Sequence, residues 1–325
     1  MPRTRHVPGT NDRDLNMLGR FQRSWHLFQA SLAVLRQQPK LLAFPVVIAG
    51  CTAGMLLFFL APLILQPTGF GLLDPAHWQA VVQSIVRGTG DPNAPGGEQF
   101  ALTRLGLAYL AALYLASMIL ATFFNVAFYH EIMAALGGGT VSIRRGLAFA
   151  GSRWVSILAW SLFAGLVGML IKMIEQKLDF VGRLLARIIG LGWSVASVFV
   201  IPALIRSPRT ANPVEMLQRS AATLRRTWGE TLIGYAGLAF GNVLVAVLSV
   251  FWVGGAIAIG AMTERPALML AMAGVWLVAL SLYAYLTGVA SQVYRGALYL
   301  YAAEGVVPNP YNREQLDLAW KFRKP

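Results

Sequence analysis

The stretch LLAFPVVIAGCTAGMLLFFLAPLIL, residues 41–65, runs for 25 residues without a charged side chain. An α-helix rises about 1.5 Å per residue, so about 20 apolar residues cross a hydrocarbon core of about 30 Å. Lipid offers the backbone no hydrogen-bond partner, so such a run must close its own bonds as a helix, and the period-two alternation of a barrel strand is absent. Five further stretches read the same way, at about 105–129, 154–174, 188–205, 231–262 and 267–293. The fold class that follows is all-α, a polytopic transmembrane bundle of six spans. Composition agrees: of 325 residues 56% are hydrophobic and 13% charged, with a mean hydropathy of +0.57, far from the profile of a soluble domain.

A formal net charge of +13 would suit a nucleic-acid partner, but the basic residues fall on alternate connections, and no nucleic acid is expected. Seven Lys or Arg precede the first span, three lie in 130–153, five in 206–230 and five from Arg295 onward. The opposite connections hold seven: Arg87, Arg104, Lys172, Lys177, Arg183, Arg187 and Arg265. The positive-inside rule then puts both termini of a multi-pass membrane protein in the cytoplasm. The first span follows a long polar leader and is too long for a signal-peptide core, so it is expected to stay as an anchor. Residues 1–14 read as a disordered tail, 15–305 as one transmembrane domain and 306–325 as a cytoplasmic tail. The single cysteine, Cys51, offers neither a disulfide framework nor a thiolate metal site, and reads as a small buried hydrophobe.

Amphipathic helices are expected before the odd-numbered spans. From Leu15 to Leu35, apolar residues fall at 15, 18, 21, 25, 28, 32 and 35, with Arg20, Arg23, His26, Gln29 and Arg36 on the remaining surface, the pattern of a basic helix lying on a membrane. Val214, Leu217, Ala221, Leu224 and Trp228 repeat it before the fifth span, with Arg219, Arg225 and Arg226 elsewhere. Asn212 is placed as N-cap there, Pro213 at the first helical position and Glu215 in a capping box. Ile143, Leu147, Ala150 and Trp154 give a shorter version before the third span. The order suggests a triplicated unit of amphipathic helix, span out and span back, although any helix feeding a span from the cytoplasm needs a basic, one-sided surface. Ile171–Ile189 reads as an interfacial amphipathic helix. The fifth apolar stretch exceeds the core thickness and is expected to break at Gly254 and Gly255, and the Pro- and Gly-rich Gln66–Gln99 reads as an irregular exposed loop.

The span centres contain no Asp, Glu, Lys, Arg or His. Such side chains cost about 3 kcal/mol or more at bilayer depth and persist where a function needs them, so their absence argues against an ion-coupled pump. Asn125 and Asn242 are the leading intramembrane polar contacts and read as helix-to-helix hydrogen bonds. Gly50 with Gly54, Ala164 with Gly168, and Gly237 with Gly241 read as close packing, within the chain in preference to a homo-oligomer contact. His130 and Glu131, near Gly137–Gly139 and Arg144–Arg145, complete no motif. The second histidine of a zinc-protease helix is missing, and three glycines without a following Lys and Ser or Thr make no phosphate loop. The pair reads as interfacial charge beside a flexible turn. Its functional version is an anionic lipid-headgroup site made by Arg144 and Arg145 with amides at a helix start, with Arg225 and Arg226 as the matching pair on the later basic helix. No catalytic, metal or cofactor site is assigned, and membrane lipid is the expected partner.

The leader Phe21-Gln-Arg-Ser-Trp25, the span-opening Phe44-Pro45, the segment Phe123-Phe-Asn125 and Arg226-Thr-Trp-Gly229-Glu230 carry a resemblance. From about Leu18 to about Gly305 the chain resembles an uncharacterised bacterial family of six-span integral membrane proteins. More distantly it is similar to the membrane domain attached to some glycerophosphodiester phosphodiesterases, whose catalytic half and metal-binding carboxylates have no counterpart here. What the resemblance implies is an envelope protein without an assigned reaction. The functional expectation is a non-enzymatic scaffold or regulator. The alternative is a transporter or channel for a small neutral or lipidic solute, favoured by the threefold pattern. An enzyme would need an acid, base or nucleophile set that these residues do not assemble.

Overall fold

A computed structural model of the chain describes residues 29–89, 99–208 and 212–311, with the backbone alone at 87–89, 99–101, 180–181 and 226–244. Helix α1 occupies 29–37 and leads through one 3-10 turn, Pro39–Leu42, into α2, Ala43–Ile64. There follow α3, Pro75–Ile85; strands β1, Val86–Thr89, and β2, Gln99–Leu102; α4, Arg104–Leu136; α5, Ile143–Ser152; and α6, Trp154–Lys177. The chain continues with α7, Phe180–Ala196; α8, Val200–Arg206; α9, Pro213–Met262; and α10, Pro266–Glu304. Among the described residues six segments are long and apolar enough to cross a bilayer: Pro39–Ile64, Arg104–Leu136, Trp154–Lys177, Gly182–Arg206, Val245–Met262 and Pro266–Glu304. The chain is an all-α, multi-pass membrane bundle, and its one described sheet is the hairpin β1–β2, which pairs Val86 with Leu102 outside the spans.

Burial is concentrated at one end. The start of α2, the last turns of α4, α5, the start of α6, α8, the start of α9 and the last turns of α10 share a core, in which Phe44 stacks on Phe128 at 5.1 Å. At the other end side chains face outward: the most apolar windows of α2 and α10 contain no buried residue, and Phe58 and Phe251 are each 73% exposed. Hydrocarbon is as good a solvent for these groups as a protein interior, so nothing drives the helices together there beyond local fit. Tyr114 of α4 supplies such a fit. Its ring lies 3.3 Å from where a side chain on Gly165 of α6 would begin, and its hydroxyl meets the same limit at Gly168. Gly50 and Gly54 touch nothing within 4 Å, so this pair is not used for packing among the described residues, and Gly237 with Gly241 lies where side chains are not described. Cys51 is exposed on α2, not buried as expected.

Several expectations change. The segment 66–99 is not irregular throughout: Asp74 caps α3 by accepting from the Ala76 amide, and the hairpin follows directly. The interfacial helix expected at 171–189 is instead an elbow. Chain direction reverses at Leu178 and Asp179, α6 packs on α7, and Glu175 bridges Lys172 and Arg187. α9 runs unbroken for 50 residues through Gly254 and Gly255, because without water to compete for its carbonyls a glycine pair does not end a helix.

The amphipathic helices, in their described parts, bury one face in protein. α1 buries Ala30, Ser31, Val34 and Leu35, while Leu15–Phe28 lies outside the described residues. α9 buries Met216, Ser220, Thr223 and Leu224, packs Leu217 against the core and leaves Val214 48% exposed, so its inward face takes in part of the apolar stripe and turns beyond it to Ser220 and Thr223. Ser220 explains the turn: its hydroxyl donates to Ala196 O at 2.5 Å and accepts from Phe199 N–H at 3.0 Å, closing the gap between α7 and α8. Ser220→Ala strands that buried amide and is expected to cost about 1–3 kcal/mol in unfolding of the purified protein, whereas Ser152→Ala, at an exposed serine, should change little. Residues 306–311 return to the bundle: Gly305 (φ +68°) ends α10 in a left-handed conformation, and Tyr311, 4% exposed, shares a 2.8 Å hydrogen bond with Ser31 of α1. Burial pushes the Tyr311 phenol well above its ordinary value.

Candidate functional site

His130, Glu131, Arg144 and Arg145 gather where α4 hands over to α5. α4 ends in a Schellman turn: Gly138, at φ +81°, donates to Ala135 O at 3.0 Å and Gly139 donates to Ala134 O at 2.8 Å. The three glycines therefore form a defined cap, not a flexible turn. Gln38 holds the turn against the start of α2, donating to Gly139 O at 3.4 Å and accepting from Val141 N–H at 3.3 Å. Ser142 then caps α5, accepting from the Arg145 amide.

This turn folds Arg145 back onto Glu131, whose side chain is 0% exposed. Arg145 grips the carboxylate with both edges of its fork, Nε to Oε1 at 2.9 Å and Nη2 to Oε2 at 2.6 Å, and Nη2 also donates to Thr140 O at 2.5 Å. The Ser142 amide donates to Oε2 at 2.7 Å, and His130 Nδ1 lies 3.0 Å from Oε1. A buried carboxylate is tolerable only with its lone pairs filled, and four contacts fill them. The hydrogen bonds to Glu131 raise the Arg145 guanidinium further above its ordinary value, so it stays charged at every physiological pH. Glu131 is thus a buried anchor, and its interfacial charge is neutralised inside the bundle. The His130 ring stacks on Phe149 at 4.0 Å, Arg153 lies 5.5 Å over that ring, and Arg153 donates to Ser207 O at 2.7 Å. Together these contacts tie α2, α4, α5 and α8 at one level.

The sequence-derived site residues divide. Arg145 is committed to Glu131, which leaves it little to offer a headgroup. Arg144 and Arg225 are exposed, while the side chain of Arg226 is outside the described residues. Asn125 is half-buried and shows no side-chain hydrogen bond among the described residues, and Asn242 lies where side chains are not described. Gln38, Ser142 and Gly146 were not singled out from sequence, and only Ser142, as a cap three residues before Arg145, left a local signal.

Electrostatically the packed end is one-signed. Its described carboxylates are each taken by an arginine: Glu131 by Arg145, Glu215 by Arg219 at 2.6 Å and Glu304 by Arg206 at 2.7 Å. Arg36, Lys40, Arg144 and Arg225 are exposed and form no ion pair among the described residues. The connections that the sequence assigns to the side of this end carry 20 basic against eight acidic residues, a net +12, and the connections assigned to the opposite side seven against six, a net +1. Among the described residues no three His, Cys, Asp or Glu converge as a metal site.

A family model matches residues 81–308. The chain belongs to DUF6159, a family of unknown function. The DUF6159 match opens in α3 and closes just after α10, so it contains the Glu131–Arg145 pair and every span except α2, and starts later than the Leu18 boundary read from sequence. No curated protein and no solved structure matches the chain, and the likeness to the phosphodiesterase membrane domain is not shown.

Proposed function

We propose that this DUF6159 member is a non-catalytic protein of the bacterial inner membrane, with its packed end and both termini in the cytoplasm, that gathers anionic lipid against a fixed collar of basic side chains and serves as a scaffold there. The observation that carries the reading is the charge contrast between the two ends, +12 against +1, combined with the engagement of every described carboxylate at the basic end. A basic side chain near an anionic leaflet is attracted by about 1 kcal/mol, and Arg36, Lys40, Arg144 and Arg225 have no internal anion among the described residues to satisfy them first. The ion-paired arginines give the collar its rigidity and the unpaired ones its attraction.

Reconstitution into mixed phosphatidylcholine and phosphatidylglycerol bilayers tests this, with spin-labelled lipids reporting the boundary layer. Wild-type protein should prefer phosphatidylglycerol several-fold, the preference should fall with salt as the Debye length shrinks to about 3 Å near 1 M, and the variant R36Q/K40Q/R144Q/R225Q should lose it. A variant that keeps the full preference would refute the collar. Single cysteines separate the orientation: position 87 should react with an impermeant reagent from outside intact cells, and position 225 should not.

A further inference from the structure

One guanidinium at the packed end is partly enclosed and has no counter-ion among the described residues. Arg295 of α10 is half-buried with its Nε fully enclosed, and that nitrogen has no hydrogen-bond partner. One turn earlier on the same helix, the amide oxygen of Gln292 is also enclosed and without a donor. The backbone that carries them is held here against α4, where a side chain on Gly296 would meet Ile132 Cγ2 at 2.9 Å and Val293 and Leu300 are buried, so a partner for either group has to be met by a turn of its own half-buried side chain. The described acids of this end do not help, because Glu131, Glu215 and Glu304 are occupied by other arginines.

Depth suggests what does help. α10 opens at Pro266, and thirty residues of helix from Arg265 to Arg295 rise about 45 Å, the thickness of a bilayer measured between its headgroup layers. For a helix that crosses along the bilayer normal from a headgroup-level Arg265, this length puts Arg295 at the opposite phosphate layer. A planar guanidinium matches a phosphate oxyanion with paired, charge-assisted hydrogen bonds. Gln292 then requires a donor from the same molecule.

We infer that Arg295 and Gln292 form a specific site for one phospholipid headgroup, with the phosphate on Arg295 and a headgroup hydroxyl or ammonium hydrogen on Gln292. Phosphatidylglycerol and phosphatidylethanolamine carry such a donor, and phosphatidylcholine does not. The inference rests on the reading that the packed end lies in a phospholipid leaflet, but it places the lipid within the bundle rim and not on the salt-sensitive collar.

Native mass spectrometry of the full chain, after exchange through a mild detergent in high salt, tests it. Wild-type protein should retain one phosphatidylglycerol or phosphatidylethanolamine, preferred over phosphatidylcholine by about tenfold, the value of one hydrogen bond near a charge. Arg295→Gln should lose the retained lipid, Gln292→Leu should keep a lipid but lose the preference over phosphatidylcholine, and the four-site collar variant should retain wild-type occupancy. Unchanged retention and preference in both Arg295→Gln and Gln292→Leu would overturn the site, whatever the collar variant does. Loss in the collar variant with retention in Arg295→Gln would also overturn it while supporting the collar. If millimolar inorganic phosphate raises the melting temperature of wild type but not of Arg295→Gln, and no lipid is retained, the lipid assignment falls and the site takes a free phosphate.

Discussion

Arg145→Ala is expected to destabilise the purified protein by about 3 kcal/mol, because it leaves the Glu131 carboxylate buried with only the Ser142 amide and His130 for company. Breaking a buried pair generally costs about 3–5 kcal/mol; the lower figure applies because the Arg145 side chain is itself 45% exposed. Glu131→Gln keeps an acceptor for Ser142 and should cost less. The double variant Glu131→Leu with Arg145→Met should recover most of the loss, since replacing both partners by apolar groups removes the stranded charge. Unfolding in a graded denaturing detergent measures all three. An Arg145→Ala protein as stable as wild type would mean that the pair does not hold α4 to α5.

Gly146→Val should act at the same joint by a different route. A side chain at Gly146 would begin 2.8 Å from Ala127 O, 2.9 Å from Glu131 Cγ and 3.2 Å from Phe44 Cζ. The first is a backbone atom of a long helix and cannot yield, so α5 must lift from α4. Overpacking of this kind typically costs about 1–3 kcal/mol, and valine should exceed alanine. Gly151, on the same helix with nothing within 4 Å, is the control: Gly151→Ala should be neutral or slightly stabilising through helix propensity. Equal behaviour at the two glycines would remove the contact argument.

The spans were legible because length and absence of charge are one-dimensional properties, and each predicted span overlaps an observed one. The Asn212 cap was legible for the same reason, with Glu215 N–H donating to Asn212 Oδ1 at 2.7 Å. Leu217 and Leu224 on the inward face of α9 were legible too, but Ser220 beside them was not, because periodicity ranks residues by oiliness whereas Ser220 faces inward to satisfy an amide and a carbonyl of other helices. Helix α3 was masked by the prolines and glycines around it, although Asp74 followed by Pro75 is a helix start. Glu131 looked interfacial because its position on α4 is near the end of the span. Its burial depends on Gln38, Ser142 and Arg145 arriving from other parts of the chain, and no local pattern encodes that meeting.

The uninterrupted α9 has a mechanical corollary. At about 1.5 Å per residue its 50 residues make a rod about 75 Å long, nearly twice the depth of a membrane including its headgroups. One tip is clamped by Ser220 in the core, and the other, around Met262, stands among exposed side chains. With no break in its hydrogen-bond ladder, α9 can take up a rocking of the clamped tip only by gentle curvature along its length and not by a hinge.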